Sequence, residues 1–145
     1  AIPQKAQYMF KDLPRWAQLY QVPFKFPSVF PVHSLLASRC AVAAAQMGHE
    51  SKAALAILNA YWGEGLDISQ PEVLSLALTQ TGLDGATILA KTQEAAVKDQ
   101  LKHYTEDALA RGVFGAPTMF YEGAMFWGND RLDMLRLVIQ GKIKA

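Results

Sequence analysis

Most of the chain repeats its apolar residues every three or four positions, and only the last third switches to short β-prone runs. Asp12 can cap a first helix whose early turn holds Pro14, where a missing N–H costs little. Trp16, Leu19 and Tyr20 then share one face. Three prolines and three phenylalanines between Val22 and Pro31 forbid a continuous helix and predict an extended connector pinned by its rings. Helical spacing returns over Ser34–Met47, rich in alanine and closed by Gly48, and over Glu50–Tyr61, with Ala54, Ile57, Leu58, Tyr61 and Trp62 on one face and Gly63 and Gly65 as the stop. Ser69-Gln70-Pro71-Glu72 matches a capping box ahead of Val73, Leu76 and Leu78. Asp84 caps a short helix through Leu89, and a longer one runs from about Gln93 to Arg111.

Thr118–Tyr121 and Ala124–Trp127 read as two short strands joined by the turn Glu122-Gly123. Asn129 is placed to cap a final helix carrying Leu132, Met134, Leu135, Val138 and Ile139. An isolated hairpin is marginal, and this one is apolar on both faces, so it is expected to belong to a larger sheet covered on both sides. No further strand is readable in the 145 residues. The chain opens Ala1-Ile2-Pro3 with no initiator Met and no visible signal-peptide pattern, so either the natural start has been removed or earlier residues are absent, and the hairpin's partner strands are expected to be missing here or supplied by another chain.

Composition narrows the chemistry. With 51% hydrophobic and 19% charged residues the chain has the material for a packed core and is not disordered. A net charge of +1, from 14 basic and 13 acidic residues, gives no electrostatic footprint for nucleic acid. The longest apolar stretches fall far short of the ~20 residues that span a bilayer. A single cysteine, Cys40, permits no internal disulfide, CxxC pair or cysteine-based zinc site within this sequence, and the three histidines lack metal-ligand spacing. Cys40 reads as a small buried hydrophobe, since Arg39 beside it faces elsewhere on a helix.

Four places can carry chemistry. In Val113-Phe114-Gly115-Ala116-Pro117-Thr118, Pro117 is either an ordinary loop proline opening an edge strand or a cis-proline that aims the Ala116 backbone at a peptide-like ligand. In Trp127-Gly128-Asn129-Asp130-Arg131, Asn129 and Asp130 are explained by helix capping and the helix dipole. The same pair also suits an α-amino acid head group, with helix N–H groups for its carboxylate and Asp130 for its ammonium. Tyr61-Trp62-Gly63-Glu64-Gly65 is a helix end that packs in a core or lines a cleft. Lys5, near Tyr8, reads as a solvated charge.

Gly112–Phe120 and Met125–Leu132 together resemble the C-terminal signature of the 2-hydroxychromene-2-carboxylate isomerases, relatives of the kappa-class glutathione transferases within the thioredoxin superfamily. Asp12-Leu13-Pro14-Arg15-Trp16-Ala17 and Asn59–Gly65 resemble the isomerase branch. The resemblance implies an α/β fold, a thioredoxin-like domain with an inserted helical domain. Here that is a mostly α chain ending in a β-hairpin and helix, divided into a helical insertion domain at 1–95 and the C-terminal half of the thioredoxin-like domain at 96–145. The family's opening βαβ segment, which carries its catalytic serine, has no counterpart in this sequence, so the catalytic group is not assigned.

The resemblance also implies glutathione as cofactor. Ala116 pairs with its cysteinyl part, Pro117 is the superfamily cis-proline, Asn129 and Asp130 hold the γ-glutamyl head group, and Lys5 lies near the same site. Trp62 walls the pocket of an aromatic carboxylate substrate. His33 departs from the asparagine expected there, which leaves the substrate's identity open. The implied activity is a glutathione-dependent cis–trans isomerase of aromatic catabolism, cytoplasmic, with no nucleic-acid or membrane partner and with a homodimer as the family's common state. The alternatives are a thiol–disulfide oxidoreductase of the same superfamily and a non-catalytic ligand-binding relative.

Overall fold

A computed structural model describes residues 3–144. The chain divides into two compact units, Ala1–Lys102 and His103–Ala145, and the boundary falls inside one helix.

The first unit is helical: α1 (Pro3–Tyr20), α2 (Leu35–Gln46), α3 (Glu50–Leu58), a π turn (Asn59–Gly63), α4 (Pro71–Gln80), α5 (Gly85–Lys91) and the first half of α6 (Ala95–Ala110). Its core is small-residue packing. Ala37, Cys40, Ala43 and Ala44 of α2 meet Ala53, Ala56 and Ile57 of α3, and Leu74, Leu78, Ile88 and Val97 close the cluster from α4, α5 and α6. Small side chains let helix axes approach closely, so the alanine-rich sequence of α2 and α3 is what packs.

Several local readings change. Asp12 is not a cap, because α1 begins at Pro3 and Asp12 sits inside it. Its carboxylate accepts from the Trp16 indole at 2.9 Å and the Tyr8 hydroxyl at 3.2 Å, each one turn away. The capping box at Ser69 does not form. Gln70 occupies the cap position, and the Ser69 hydroxyl donates to Asp67 at 2.6 Å instead. The Ser69 hydroxyl, the Gln70 amide and the Ser69 N–H together hold the Asp67 carboxyl below its usual range. On α3 the buried residues are Ala53, Ala56 and Ile57, while Leu58 is exposed; on α4 they are Leu74, Ala77 and Leu78, with Leu76 outside. Asp84 does cap α5, accepting from the Thr87 N–H at 3.0 Å.

The connector is extended from Val22 to Pro27 and bends over Ser28–Pro31, with the Phe30–Pro31 peptide cis. Its rings form a chain: Phe10 on Phe26, Phe26 on Phe30, and both Phe30 and Phe24 on Trp62 at 6.1 Å. Its backbone is tied to the π turn, with the Lys25 N–H donating to the Trp62 carbonyl at 2.7 Å and the Tyr61 hydroxyl to the Val29 carbonyl at 3.0 Å.

The second unit holds the end of α6, an antiparallel hairpin of β1 (Thr118–Tyr121) and β2 (Ala124–Trp127), a 3-10 turn (Asn129–Arg131) and α7 (Leu132–Ile139). Thr118 pairs with Trp127 and Tyr121 with Ala124. Glu122 (φ 48°) and Gly123 (φ 84°) make the two-residue turn, both in the left-handed region that hairpin turns require. Among the described residues the sheet has two strands, so the larger sheet expected around them is not formed by this chain. Phe126 and Val138 are the buried residues of this unit.

Candidate functional site

The site is built where the loop entering β1 meets the turn leaving β2. Because Thr118 faces Trp127, the residues just outside the hairpin, Pro117 and Gly128, become neighbours, and the Gly128 N–H donates to the Pro117 carbonyl at 3.0 Å. Ala116-Pro117 and Asn129-Asp130, twelve or more positions apart in sequence, are thereby brought together.

The loop is fixed from several sides. The Thr118 hydroxyl donates to the Gly115 carbonyl at 2.6 Å. Phe114 packs on Trp127 with ring centroids 4.9 Å apart, and Gly115 lies so close to the Trp127 indole that a Cβ there would collide with its nitrogen. Arg111, at the end of α6, sits 3.7 Å over the Phe120 ring. The Ala116–Pro117 peptide is cis. Ala116 is exposed, and its N–H and C=O make no hydrogen bond within the described residues. A free, aligned donor and acceptor on a pinned loop is the arrangement that accepts an extended peptide as an added strand.

At the other segment Asn129 does not act as the cap. It is the first residue of the 3-10 turn, and Gly128, at φ 108° and ψ 148°, takes the cap position instead. The tighter turn brings the Arg131 N–H to the Gly128 carbonyl at 3.1 Å. Asp130 and Arg131 are half exposed and paired at 2.7 Å, so this corner presents a carboxylate and a guanidinium side by side. Sequence reading gave Arg131 no role. Its signal was a cation beside Asp130 at a helix start, where the dipole favours the carboxylate and gives a guanidinium no capping role.

Lys5 and Trp62 lie in the first unit. Lys5 is exposed in the first turn of α1. Trp62 is half-buried in the π turn, edge-on to Tyr61 at 4.8 Å and stacked on Phe24. Cys40 is fully buried in α2, and burial pushes its thiol up to about 11. His33, His49 and His103 are exposed, and no cluster of three or more His, Cys, Asp or Glu side chains able to hold a metal exists among the described residues.

Comparison with known proteins gives this arrangement a family. Residues 1–140 match the DsbA-like thioredoxin domain. The chain belongs to the DsbA-like thioredoxin family. Within that family it is 35% identical over 132 residues to 2-hydroxychromene-2-carboxylate isomerase of Sphingobium xenophagum, covering 90% of this chain and 66% of that protein. It is 29% identical over 148 residues to glutathione S-transferase kappa 1 of Homo sapiens, covering 92% of this chain. A solved structure of 2-hydroxychromene-2-carboxylate isomerase superposes with a TM-score of 0.78 at 31% identity, over 95% of this chain and 67% of the other. The resemblance read from the sequence is therefore correct, as is the thioredoxin-like fold class. The chain spans 64–66% of the length of the curated isomerases it matches. No helix among the described residues is long and apolar enough to cross a membrane.

Proposed function

We infer that this DsbA-like chain carries the glutathione-binding part of a glutathione-dependent cis–trans isomerase acting on an aromatic carboxylate of the 2-hydroxychromene-2-carboxylate type. One observation carries the reading: the hydrogen bond from Gly128 to Pro117 puts an open backbone segment next to a corner bearing both charges. A γ-glutamyl tripeptide needs those two features together.

The residues present fit that ligand. Ala116 offers its N–H and C=O to the backbone of the cysteinyl residue, as a strand edge does. Asp130 takes the α-ammonium of the γ-glutamyl group. Arg131 and the start of α7 take its α-carboxylate, exchanging their internal ion pair for two pairs with the ligand. The Gly128–Pro117 hydrogen bond holds the two segments together, and Asn129 stands with Asp130 at the head group. Lys5 and Trp62 enter on the strength of the resemblance, Lys5 as a cation for glutathione and Trp62 as a wall for the aromatic ring. The chemistry glutathione supplies when bound is a thiolate that adds reversibly to a conjugated carbon, leaves a single bond free to rotate, and departs as the double bond re-forms. This chain's contribution is to bind and orient, which converts an encounter in solution into a reaction between held groups.

Thiol–disulfide exchange by this chain's own residues is disfavoured, because its one cysteine is buried and its thiol is kept protonated. The test is an NMR titration of the chain with glutathione, with the γ-glutamyl-free dipeptide cysteinylglycine as control. Saturable shifts at Ala116, Asn129 and Asp130, much weakened in the control, are expected. Shifts at one segment alone, or equal binding of the control, would reject a shared site.

A further inference from the structure

A groove lies in the first unit, lined by none of the residues assigned to the glutathione reading. α3 turns its alanines into the core and leaves Leu55 68% exposed. Beside Leu55 a groove of about 430 Å³ opens between α3 and α4, with Leu55, Ala56 and Ala77 as apolar lining. That volume lies within the range of small-molecule sites.

The two ends of the groove carry opposite charges. At one end the Lys52 ammonium lies 3.6 Å from where a Cβ on Gly82 would stand, just beyond the C-terminus of α4, where the helix dipole favours a cation. No acidic side chain among the described residues pairs with it. At the other end the π turn brings Glu64 back onto Asn59. The Asn59 amide donates to one carboxylate oxygen at 2.8 Å, leaving the second oxygen without a partner in this unit. Lys52, in the first turn of α3, and Asn59, just past its last residue, are seven positions apart, a backbone rise of about 10 Å.

We propose that this groove binds a small dipolar molecule of dipeptide size, its carboxylate at Lys52, its ammonium at Glu64 and an apolar body between them on Leu55, Ala56 and Ala77. An extended dipeptide sets its two charged termini about 7 Å apart, a span suited to two opposite charges that line one groove. An uncharged apolar ligand would leave both ends unpaired, and a simple anion would leave Glu64 facing it with like charge. Opposite charges lining one groove thus select for both termini at once.

The experiment is an NMR titration of the full chain with alanyl-leucine, alongside its N-acetylated and its C-amidated forms. Saturable shifts at Leu55, Asn59 and Ala77 are expected, with affinity at least tenfold weaker for each blocked form. Lys52→Met and Glu64→Gln should each weaken binding at least tenfold with unchanged melting, Lys52→Arg should retain it, and Asp130→Ala should leave it untouched, which separates this groove from the glutathione reading. No saturable shift at these residues, equal binding of either blocked form, or unchanged affinity in both charge variants would overturn the proposal.

Discussion

The Gly128 N–H and the Pro117 carbonyl meet at 3.0 Å, and this one bond continues the β1–β2 ladder a step beyond the strands themselves. It depends on Gly128 holding φ 108° and ψ 148°, a backbone region that side chains avoid, with a Cβ there running into the Asp130 carboxylate. Gly128→Ala is therefore expected to lose roughly 1–3 kcal/mol of stability, read as a fall of several degrees in a thermal melt. It should also weaken glutathione binding, because the two halves of the site separate. A variant that melts at the parent temperature would show that the backbone can relax there at no cost.

Asp130 tests the head-group assignment directly. Asp130→Ala removes the carboxylate while leaving a half-exposed corner with no packing role, so the melt should barely move. A charge-assisted contact contributes roughly 1.5–3 kcal/mol, so glutathione affinity should fall by about tenfold to a hundredfold in calorimetry. Arg131→Ala should produce a comparable loss if its guanidinium takes the head-group carboxylate. Unchanged affinity in both variants would remove this corner from the site.

Cys40 predicts a pH signature. Burial raises the folded thiol from 9.0 to about 11, so at neutral pH both folded and unfolded chains keep the proton and the group has no effect on pH dependence. Above pH 9 the unfolded chain ionises first, so stability falls with rising pH until the folded thiol also ionises near 11. The slope from this group approaches about 1.4 kcal/mol per pH unit. Denaturant midpoints of the parent and Cys40→Ala at pH 7 and pH 10 should converge as pH rises, because only the parent carries this term. Slow reaction of the native thiol with a disulfide reagent, accelerated by denaturant, is expected for the same reason.

Asp84 predicts the opposite sign at the acid end. Its carboxyl is held below the usual range, first by the Thr87 backbone N–H and then by the Thr87 hydroxyl. The stabilisation is present above the unfolded carboxylate pKa and is lost as pH falls through the lower folded value. Asp84→Ala should lower the melting temperature at pH 7, and the gap to the parent should narrow at pH 3. A gap independent of pH would assign the loss to something other than the ionised cap.

How far the sequence could be read follows the range of the interactions. The hairpin was legible to the residue, and Asp84 was legible as a cap, because turn and cap chemistry act over two to four positions. Asp12, Ser69 and Asn129 misled for the same reason in reverse. Each is a good cap by type, but Asp12 is enclosed by a helix that starts nine residues earlier, Ser69 is claimed by Asp67, and Asn129 is drawn into a 3-10 turn. The buried faces of α3 and α4 were legible in part: Ile57, Tyr61 and Leu78 are buried as expected, but Leu58 and Leu76 are exposed while Ala53, Ala56 and Ala77 pack inside, because close helix packing also selects small side chains. At the candidate site the residue types were legible, but the Gly128–Pro117 bond was not, because it depends on strand register, and the Asp130–Arg131 pairing was not, because it depends on the 3-10 turn.

The π turn sets a constraint on length rather than on composition. The Glu64 N–H reaches back five residues to the Asn59 carbonyl, one more than regular winding uses, so this stretch holds a residue in excess. Deleting Ala60 would restore the ordinary pitch and turn Tyr61 and Trp62, inside the bulge, to new positions on the helix surface. The Tyr61 hydroxyl would leave the Val29 carbonyl, and the Trp62 carbonyl would no longer meet Lys25. The phenylalanine connector would lose its moorings although no aromatic side chain had been changed.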